Sequence, residues 1–435
     1  MLTFRGGVHP REDKEATEHK SVEVLPLPAR VFIPLSQHTG APSKAVVAKG
    51  SLVKTGTLIG EPAGRISAAT HASVSGTVAD VSDLPHPLTG RRGPTVVIDS
   101  DGADTPDDAL GERDYSGFTN EQIVETLRLS GVVGLGGAAF PTYFKLTPPK
   151  EKPIDTLLIN GCECEPFLTA DHRLMLEQPA EMVEGVKIMS RVLGVQNVMI
   201  VIEDNKPDAV ATMTSAAASS GFKVRKLRTK YPQGAEKQLI KACLKREVPS
   251  GGLPMDVGCV VQNVGTALAV RDALRLNRPL YERVTTVTGP AIKEPKNLRV
   301  RIGTPVKELL QFCGGYAAEV GKLIMGGPMM GIAVSTDEVP VLKGTSGVLV
   351  LDRAATVFDE HDCIRCGRCI EACPMGLAPQ RLNNLIRRGQ LEAAKAEHVK
   401  DCIECGCCAY ACPAKIRLVH QFKYAKSELA AMERK

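Results

Sequence analysis

The chain has 435 residues, 24% of them charged, with a net charge of +5, 14 cysteines and no tryptophan. That length exceeds a single hydrophobic core and predicts roughly three or four domains of about 100–200 residues each. Its longest apolar runs, such as Val198 to Ile202 and Val348 to Leu351, fall far short of a membrane span, and no basic segment followed by an apolar stretch opens the sequence, so export by an ordinary signal peptide is not expected.

The first hundred residues are rich in Val, Thr, Gly and Pro. Short alternating segments, Lys44 to Val53, Thr57 to Ile59 and Ser73 to Val78, read as strands of a small all-β domain. The stretch from Val47 to Gly60 resembles the hammerhead of biotinyl and lipoyl carriers. The tip where such carriers present a modified lysine, near Ala69-Thr70-His71, has none, so modification is not expected. Acidic residues from Asp99 to Asp114 read as a linker.

From Thr119 onward helical and strand signals alternate. Thr156 to Ile159 and Val198 to Ile202 suit buried parallel strands, and Met182, Val183, Val186, Met189 and Val192 form a helical stripe ending at Gly194. A helix over Ala209 to Ala218, a strand over Phe222 to Leu227 and a helix over Ala235 to Lys245 complete an α/β sandwich. Between Phe222 and Glu247 nine basic residues stand against two acidic ones, which reads as a solvated face. Without aromatic interleaving or a recognised motif, no nucleic-acid partner is expected.

Gly134-Leu-Gly136-Gly137-Ala-Ala nominally fits a dinucleotide fingerprint, but a helical pattern (Ile123, Val124, Leu127) precedes it and Phe140-Pro141 follows, where a strand and a helix are required. From spacing alone the segment is either a loop cradling a phosphate through backbone N–H groups or a tight connection. Leu276 to Asp352 returns to short β segments (Val284 to Val287, Leu298 to Ile302, Gly347 to Leu351) around a helical Val306 to Phe312. The glycine cluster Met325 to Gly331 reads as a turn without chemistry.

Two near-identical cysteine runs follow: Cys363, Cys366, Cys369, Cys373-Pro374 and Cys402, Cys405, Cys408, Cys412-Pro413. Two-residue gaps let three thiolates curl around one small cubane, Gly367 and Gly406 supply backbone freedom, and the fourth cysteine points away to the other cluster. The spacing therefore predicts two 4Fe-4S clusters, one on Cys363, Cys366, Cys369 and Cys412 and one on Cys402, Cys405, Cys408 and Cys373. Paired zinc knuckles or a secreted disulfide framework do not explain eight cysteines in this duplicated order. Thiolate-ligated iron points to a reducing cytoplasm. Between the runs, Leu382, Leu385 and Ile386, then Leu391, Ala394 and His398, recur at helical spacing with Gly389 as the break, as in a helical ferredoxin module. Cys407 reads as a small filler, and Cys162, Cys164, Cys243, Cys259 and Cys313 as free thiols.

Ser130 to Lys145 resembles the flavin-binding loop of the NADH-oxidising subunit of respiratory complex I. Three stretches follow in that family's order: Asn160-Gly-Cys-Glu163-Cys-Glu165-Pro166, Tyr231-Pro-Gln-Gly234-Ala-Glu236 and Val261-Gln-Asn263-Val-Gly-Thr266. With Gly6-Gly7-Val8-His9-Pro10 at the start and the twin cysteine runs at the end, the whole chain resembles the C subunits of Rnf ion-pumping ferredoxin:NAD oxidoreductases.

The resemblance implies a multidomain α+β fold: a barrel-sandwich β domain with linker (1–114), an α/β FMN/NADH-binding domain (115–275), a β-grasp SLBB-like domain (276–352) and a ferredoxin domain (353–435). It implies FMN held by Gly134, Gly136, Gly137, Lys145, Asn160, Glu163, Gly234, Asn263 and Thr266, with NADH laid near Phe140, Glu165 and Glu236, and Lys145, Glu163 and Glu236 as the catalytic candidates. The implied partners are NAD(H), the other Rnf subunits on the cytoplasmic side of the membrane, and ferredoxin through the complex. Leu135, Cys162, Ala235 and Gln262 depart from the complex I pattern. They keep open an electron-transfer adaptor without a working flavin site, beside a cobalamin reductase of the propanediol-utilising kind, which resembles the same subunit.

Overall fold

The computed structural model describes residues 2–434. The chain's first elements are a short strand β1 (Val22–Val24) and then the barrel-sandwich domain, with β2 (Arg30–Pro34), β3 (Lys44–Ala45), β4 (Leu52–Val53), β5 (Leu58–Glu61), β6 (Thr70–His71), β7 (Gly76–Pro85) and β8 (Arg92–Ser100). A four-stranded sheet in the order β2-β8-β7-β4 packs on a three-stranded one, β3-β5-β6. Val31, Ile33, Ile59, Val78, Val96 and Ile98 fill the space between them. The expected strand from Lys44 to Val53 is two strands in different sheets, separated by a turn in which Gly50 is left-handed (φ 86°).

The acidic stretch after β8 is not a free linker. Asp104 pairs with Arg301 of the third domain, and Asp107 accepts a hydrogen bond from Thr57 of the barrel-sandwich domain, so its charges are tied down on both sides. The strand that opens the chain is shared between domains. β1 pairs in parallel with a strand of the third domain. A three-residue strand carries no sign of which sheet edge it will cover.

In the central domain α1 (Asn120–Leu129) and α2 (Thr142–Lys145) flank the glycine loop. Then follow β9 (Thr156–Gly161), α3 (Ala170–Glu177), α4 (Pro179–Leu193), β10 (Asn197–Glu203), α5 (Pro207–Ala217), β11 (Lys223–Leu227), α6 (Glu236–Leu244), β12 (Cys259–Asn263) and α7 (Val264–Arg275). The four strands run parallel in the order β11-β10-β9-β12. Leu157 and Ile159 face one helical layer, where the stripe of α4 packs on α7, while Leu158 faces α6. Burial on both faces explains why these strands read as apolar runs rather than alternating ones. Each such side chain contributes roughly 1.5–3 kcal/mol. As expected, α4 ends at left-handed Gly194.

The strand order reverses after β11, so β12 lies against the edge of β9 away from β10. Ligands of open α/β sheets bind in the crevice at the carboxyl ends of such a pair.

The third domain has β13 (Glu282–Thr288), β14 (Lys296–Arg301), α8 (Val306–Phe312), β15 (Val320–Met325), β16 (Ile332–Val334) and β17 (Gly347–Asp352), in a mixed six-stranded sheet β1-β14-β13-β17-β15-β16. The last domain is helical: α9 (Arg368–Ala372), α10 (Pro379–Arg387), α11 (Leu391–Ala396), α12 (Cys407–Tyr410) and α13 (Leu418–Met432). Left-handed Gly389 (φ 70°) breaks α10 from α11, as the sequence predicts. Among the described residues no helix is long and apolar enough to cross a membrane.

Candidate functional site

Asn160 and Asn263 end β9 and β12 and lie side by side in register, which puts both at the crevice. Asn263 is the N-cap of α7. Its Oδ1 accepts from the N–H groups of Gly265 (2.8 Å) and Thr266 (3.2 Å), while its Nδ2 donates to Asp171 Oδ2 at 2.6 Å. Removing such a cap costs about 1 kcal/mol. The glycine loop sits against this cap. The Leu135 N–H donates to Thr266 Oγ1 (2.9 Å), and a Cβ on Gly136 would stand 2.5 Å from Asn263 Nδ2. Gly136 is thus required by a close approach, whereas a Cβ on Gly137 would meet nothing within 4 Å. Gly134 donates to the Phe140 carbonyl, and the Phe140 ring meets Phe144 edge-on at 5.6 Å.

The segment from Cys162 to Leu168 arches over the same crevice. Asn160 anchors its start, accepting from the Cys162 N–H and donating to the Gly234 carbonyl at 2.8 Å. Glu163, left-handed at φ 47°, turns its carboxylate onto the N–H groups of Asp171 (2.7 Å) and His172 (3.0 Å) in the first turn of α3. A carboxylate there satisfies donors that the helix leaves unpaired. Burial, and next the neighbouring Glu163 charge, push the Asp171 carboxyl up to about 7. Across the crevice Lys145 donates to Glu236 Oε1 (2.6 Å) and to the Val261 carbonyl (3.0 Å). The structure therefore gathers Gly134, Gly136, Gly137, Asn263, Thr266 and Glu163 in one group, links Asn160 to Gly234, and pairs Lys145 with Glu236.

Glu165 stands apart from these. Its carboxylate accepts from the N–H groups of Met329 (3.1 Å) and Met330 (2.9 Å) in the third domain and lies 3.3 Å from the Tyr231 hydroxyl; burial pushes its pKa up. The turn from Met325 to Gly331 is therefore more than the bare punctuation its sequence suggests. It supports the ferredoxin domain as well, since a Cβ on Gly406 would meet the Met329 carbonyl at 3.0 Å. Tyr231, Cys405, Cys407 and Val8 form one small apolar cluster at this junction, with Cys164 and Met329 packed against it. Desolvation pushes the Cys162 and Cys164 thiols up, as befits inert thiols.

Cys373, Cys402, Cys405 and Cys408 line one small cavity together with Leu377, Pro379 and Phe422. Among the described residues no three His, Cys, Asp or Glu side chains converge as a single ion requires. The four thiols ring a space instead, which suits a multi-atom cluster. Cys369 belongs to the buried apolar core of this domain and Cys412 packs against it, while Cys363 and Cys366 are exposed with Ile364 between them at 69% exposure.

Sequence reasoning passed over Asp171, Lys14 and the Met329-Met330 turn. Only Asp171, an acid opening a helix beside the Glu163 segment, carried any local signal.

The barrel-sandwich hybrid domain of the RnfC family matches residues 2–103, the Nuo51 FMN-binding domain residues 127–272, the SLBB domain residues 284–333 and the 4Fe-4S dicluster domain residues 355–413. The C subunit of the proton-translocating ferredoxin:NAD(+) oxidoreductase complex of Clostridium ljungdahlii is 49% identical over 98% of this chain and 94% of its own length. The C subunit of the Na(+)-translocating ferredoxin:NAD(+) oxidoreductase complex of Acetobacterium woodii is 45% identical over 100% and 98%. The structure of an NAD+-reducing NiFe-hydrogenase in its H2-reduced state aligns with 73% of this chain and 66% of its own at 17% identity and a TM-score of 0.49.

Proposed function

Since the chain belongs to the family of C subunits of ion-translocating ferredoxin:NAD(+) oxidoreductase complexes, we propose that it carries electrons between NAD(H) and two 4Fe-4S clusters by way of FMN, as a peripheral subunit on the cytoplasmic side of the membrane. The observation that carries this reading is the adjacency of the crevice and the inner cysteines. One arch, Cys162 to Leu168, bears Glu163 at the crevice and reaches, through Glu165 and Tyr231, the cluster of side chains that contains Cys405.

The residues at the crevice fit a flavin mononucleotide. Gly137 leaves open space above a loop whose backbone is held by Thr266, and Lys145 offers a cation. Gly134, Gly136, Gly137, Asn160, Asn263 and Thr266 would hold FMN, and Phe140 offers an aromatic face to a nucleotide. The chemistry FMN supplies when bound is the exchange between a two-electron hydride and one-electron clusters. Lys145 is held by Glu236 beside the flavin-binding loop, Glu163 keeps the α3 end aligned with it, and Glu165 locks the arch to the third domain. Cys373, Cys402, Cys405 and Cys408 would hold the inner cluster. Cys363, Cys366, Cys369 and Cys412 would hold the outer one, whose exposed loop faces the partner subunits.

The test is the visible spectrum of the anaerobically purified chain supplied with FMN, before and after NADH. Bleaching of both flavin and iron–sulfur bands is expected, with the NADH-driven rate lowered in Lys145→Met and Glu163→Gln at unchanged iron content. Clusters that bleach with dithionite but ignore NADH would sink the reading and leave a relay fed from elsewhere.

A further inference from the structure

The N-terminal strap, residues 2–20, is not absorbed by any of these roles. The backbone of Gly7 donates to the Ala372 carbonyl at 2.9 Å, Val8 exchanges hydrogen bonds with Tyr231, and Gly6 lies so close to the inner ligand Cys373 that a Cβ would stand 2.6 Å from its carbonyl oxygen. Six residues on, the Glu12 carbonyl accepts from the Phe167 N–H, and Lys14 turns inward.

Lys14 is 4% exposed. Its Nζ donates to the carbonyls of Glu163 (2.9 Å), Glu165 (3.0 Å) and Leu168, and these are its hydrogen-bond partners among the described residues. Burial lowers its pKa, and the nearby Lys206 does so next. Burying an ammonium is costly unless its donors are all used. Three carbonyls of one six-residue stretch can meet at one point only if the backbone doubles back, and it does so through left-handed Glu163 and Phe167 (φ 47° and 69°). Charge-assisted hydrogen bonds are the strong ones, so the ammonium gathers the arch's backbone while the Glu163 and Glu165 carboxylates, and Lys206 on the Cys162 carbonyl (2.8 Å), hold its flanks.

We propose that Lys14 is a positioning residue: it templates the Cys162–Leu168 arch, so that the strap which touches the inner cysteine loop also fixes the acids of the flavin crevice. This rests on the flavin reading above. The consequence is that crevice and inner cluster are registered by one segment of chain, and a change in the strap is felt at both.

The experiment compares Lys14→Met and Lys14→Gln, close to lysine in volume and differing in hydrogen-bond donors, in the full chain with its clusters. FMN affinity is read by fluorescence quenching, amide exchange over residues 162–172 by mass spectrometry, and iron content by analysis. Lys14→Met is expected to weaken FMN about tenfold or more and to speed exchange in 162–172 by a similar factor, with iron content and dithionite bleaching unchanged. Lys14→Gln should fall between the two, and carries the test alone if Lys14→Met does not fold. Unchanged exchange in the arch, or faster exchange throughout together with iron loss, overturns the proposal. If the unsubstituted chain binds no FMN, the flavin reading fails, and the exchange result by itself still decides for or against Lys14.

Discussion

The two cysteine runs have the same spacing and the same backbone, yet they occupy opposite environments. Arg365 and Glu404 are both left-handed at φ 57°, and Gly367 and Gly406 follow at 77° and 81°. A Cβ on Gly367 would meet nothing within 4 Å, whereas one on Gly406 would press on the Met329 carbonyl. Cys363 and Cys366 are exposed, while their counterparts Cys402 and Cys405 are half-buried and buried; the third cysteine is buried in both runs. The difference teaches that the local motif specifies a ligand loop and nothing more. What sets the second loop apart is the packing of Tyr231 and the third-domain turn around it, while the strap meets the first run only at its end, Ala372 and Cys373.

The largest effect should come from breaking each loop in turn. Cys405→Ser is expected to abolish NADH-driven reduction of the outer cluster while leaving it reducible by dithionite, because the inner cluster lies between. Cys366→Ser should leave the inner cluster fully reducible by NADH. Low-temperature electron paramagnetic resonance, which separates the two clusters, checks both. Equal loss in the two variants would remove the distinction between inner and outer.

A smaller effect sharpens the same contrast at matched backbone. Gly6 and Gly367 both sit at φ 77°. Alanine at either incurs about 1–2 kcal/mol for the left-handed conformation. Only Gly6→Ala adds the clash with the Cys373 carbonyl. Gly6→Ala should therefore lower iron and sulfide content at the inner site and depress the melting temperature more than Gly367→Ala does. Matching losses in the two would mean that the strap does not bear on the inner loop.

The inner side also holds buried acids whose titration has a definite sign. Asp171 and Glu203 are each raised by burial to about 7 from 3.8 and 4.5. The folded chain keeps these protons after the unfolded chain has released them. Their contribution to stability is complete below about 4 and is lost as pH rises towards about 7. On the outer domain Glu433, drawn down to about 2 by Lys400 and then Lys395, has the opposite sign but is fully exposed and carries little weight. Between about pH 5 and 8 the two acids pull unfolding midpoints down as pH rises, against His71 and Lys343, which burial lowers to about 3 and about 7 and which act with the opposite sign; Asp171→Asn should shift the slope towards a rise with pH. A slope untouched by this substitution would show Asp171 to be ionised in the fold.

Much of this was legible because the signals are local. The β9 and β10 strands, the α4 stripe with Gly194 and the α10–Gly389–α11 break all follow from period and punctuation. The crevice residues were legible only as an ordered resemblance, since neither Lys145 nor Glu163 differs by itself from a surface residue. The rest was set at long range. β1 gives no sign of pairing with β14, Asp104 none of meeting Arg301, and Lys14 none of reaching carbonyls some 150 residues away. Those contacts exist only once the domains have packed.

The smallest expected effect is at the residue after the left-handed glycine, one of the positions where the runs differ in kind. Arg368 follows Gly367, and Cys407 follows Gly406. Cys407 is fully buried with Val8 and Tyr231, and its Sγ donates to the Tyr231 carbonyl at 3.8 Å. A filler role predicts that Cys407→Ala removes one small group, costing about 1 kcal/mol and lowering the melting temperature slightly, with both clusters and NADH-driven reduction intact. Cys407→Arg, which copies the outer run, should instead exclude the inner loop from the junction, because a guanidinium there has neither space nor solvent. Loss of the inner cluster in Cys407→Ala would show that the thiol is needed chemically and that packing alone does not distinguish the two loops.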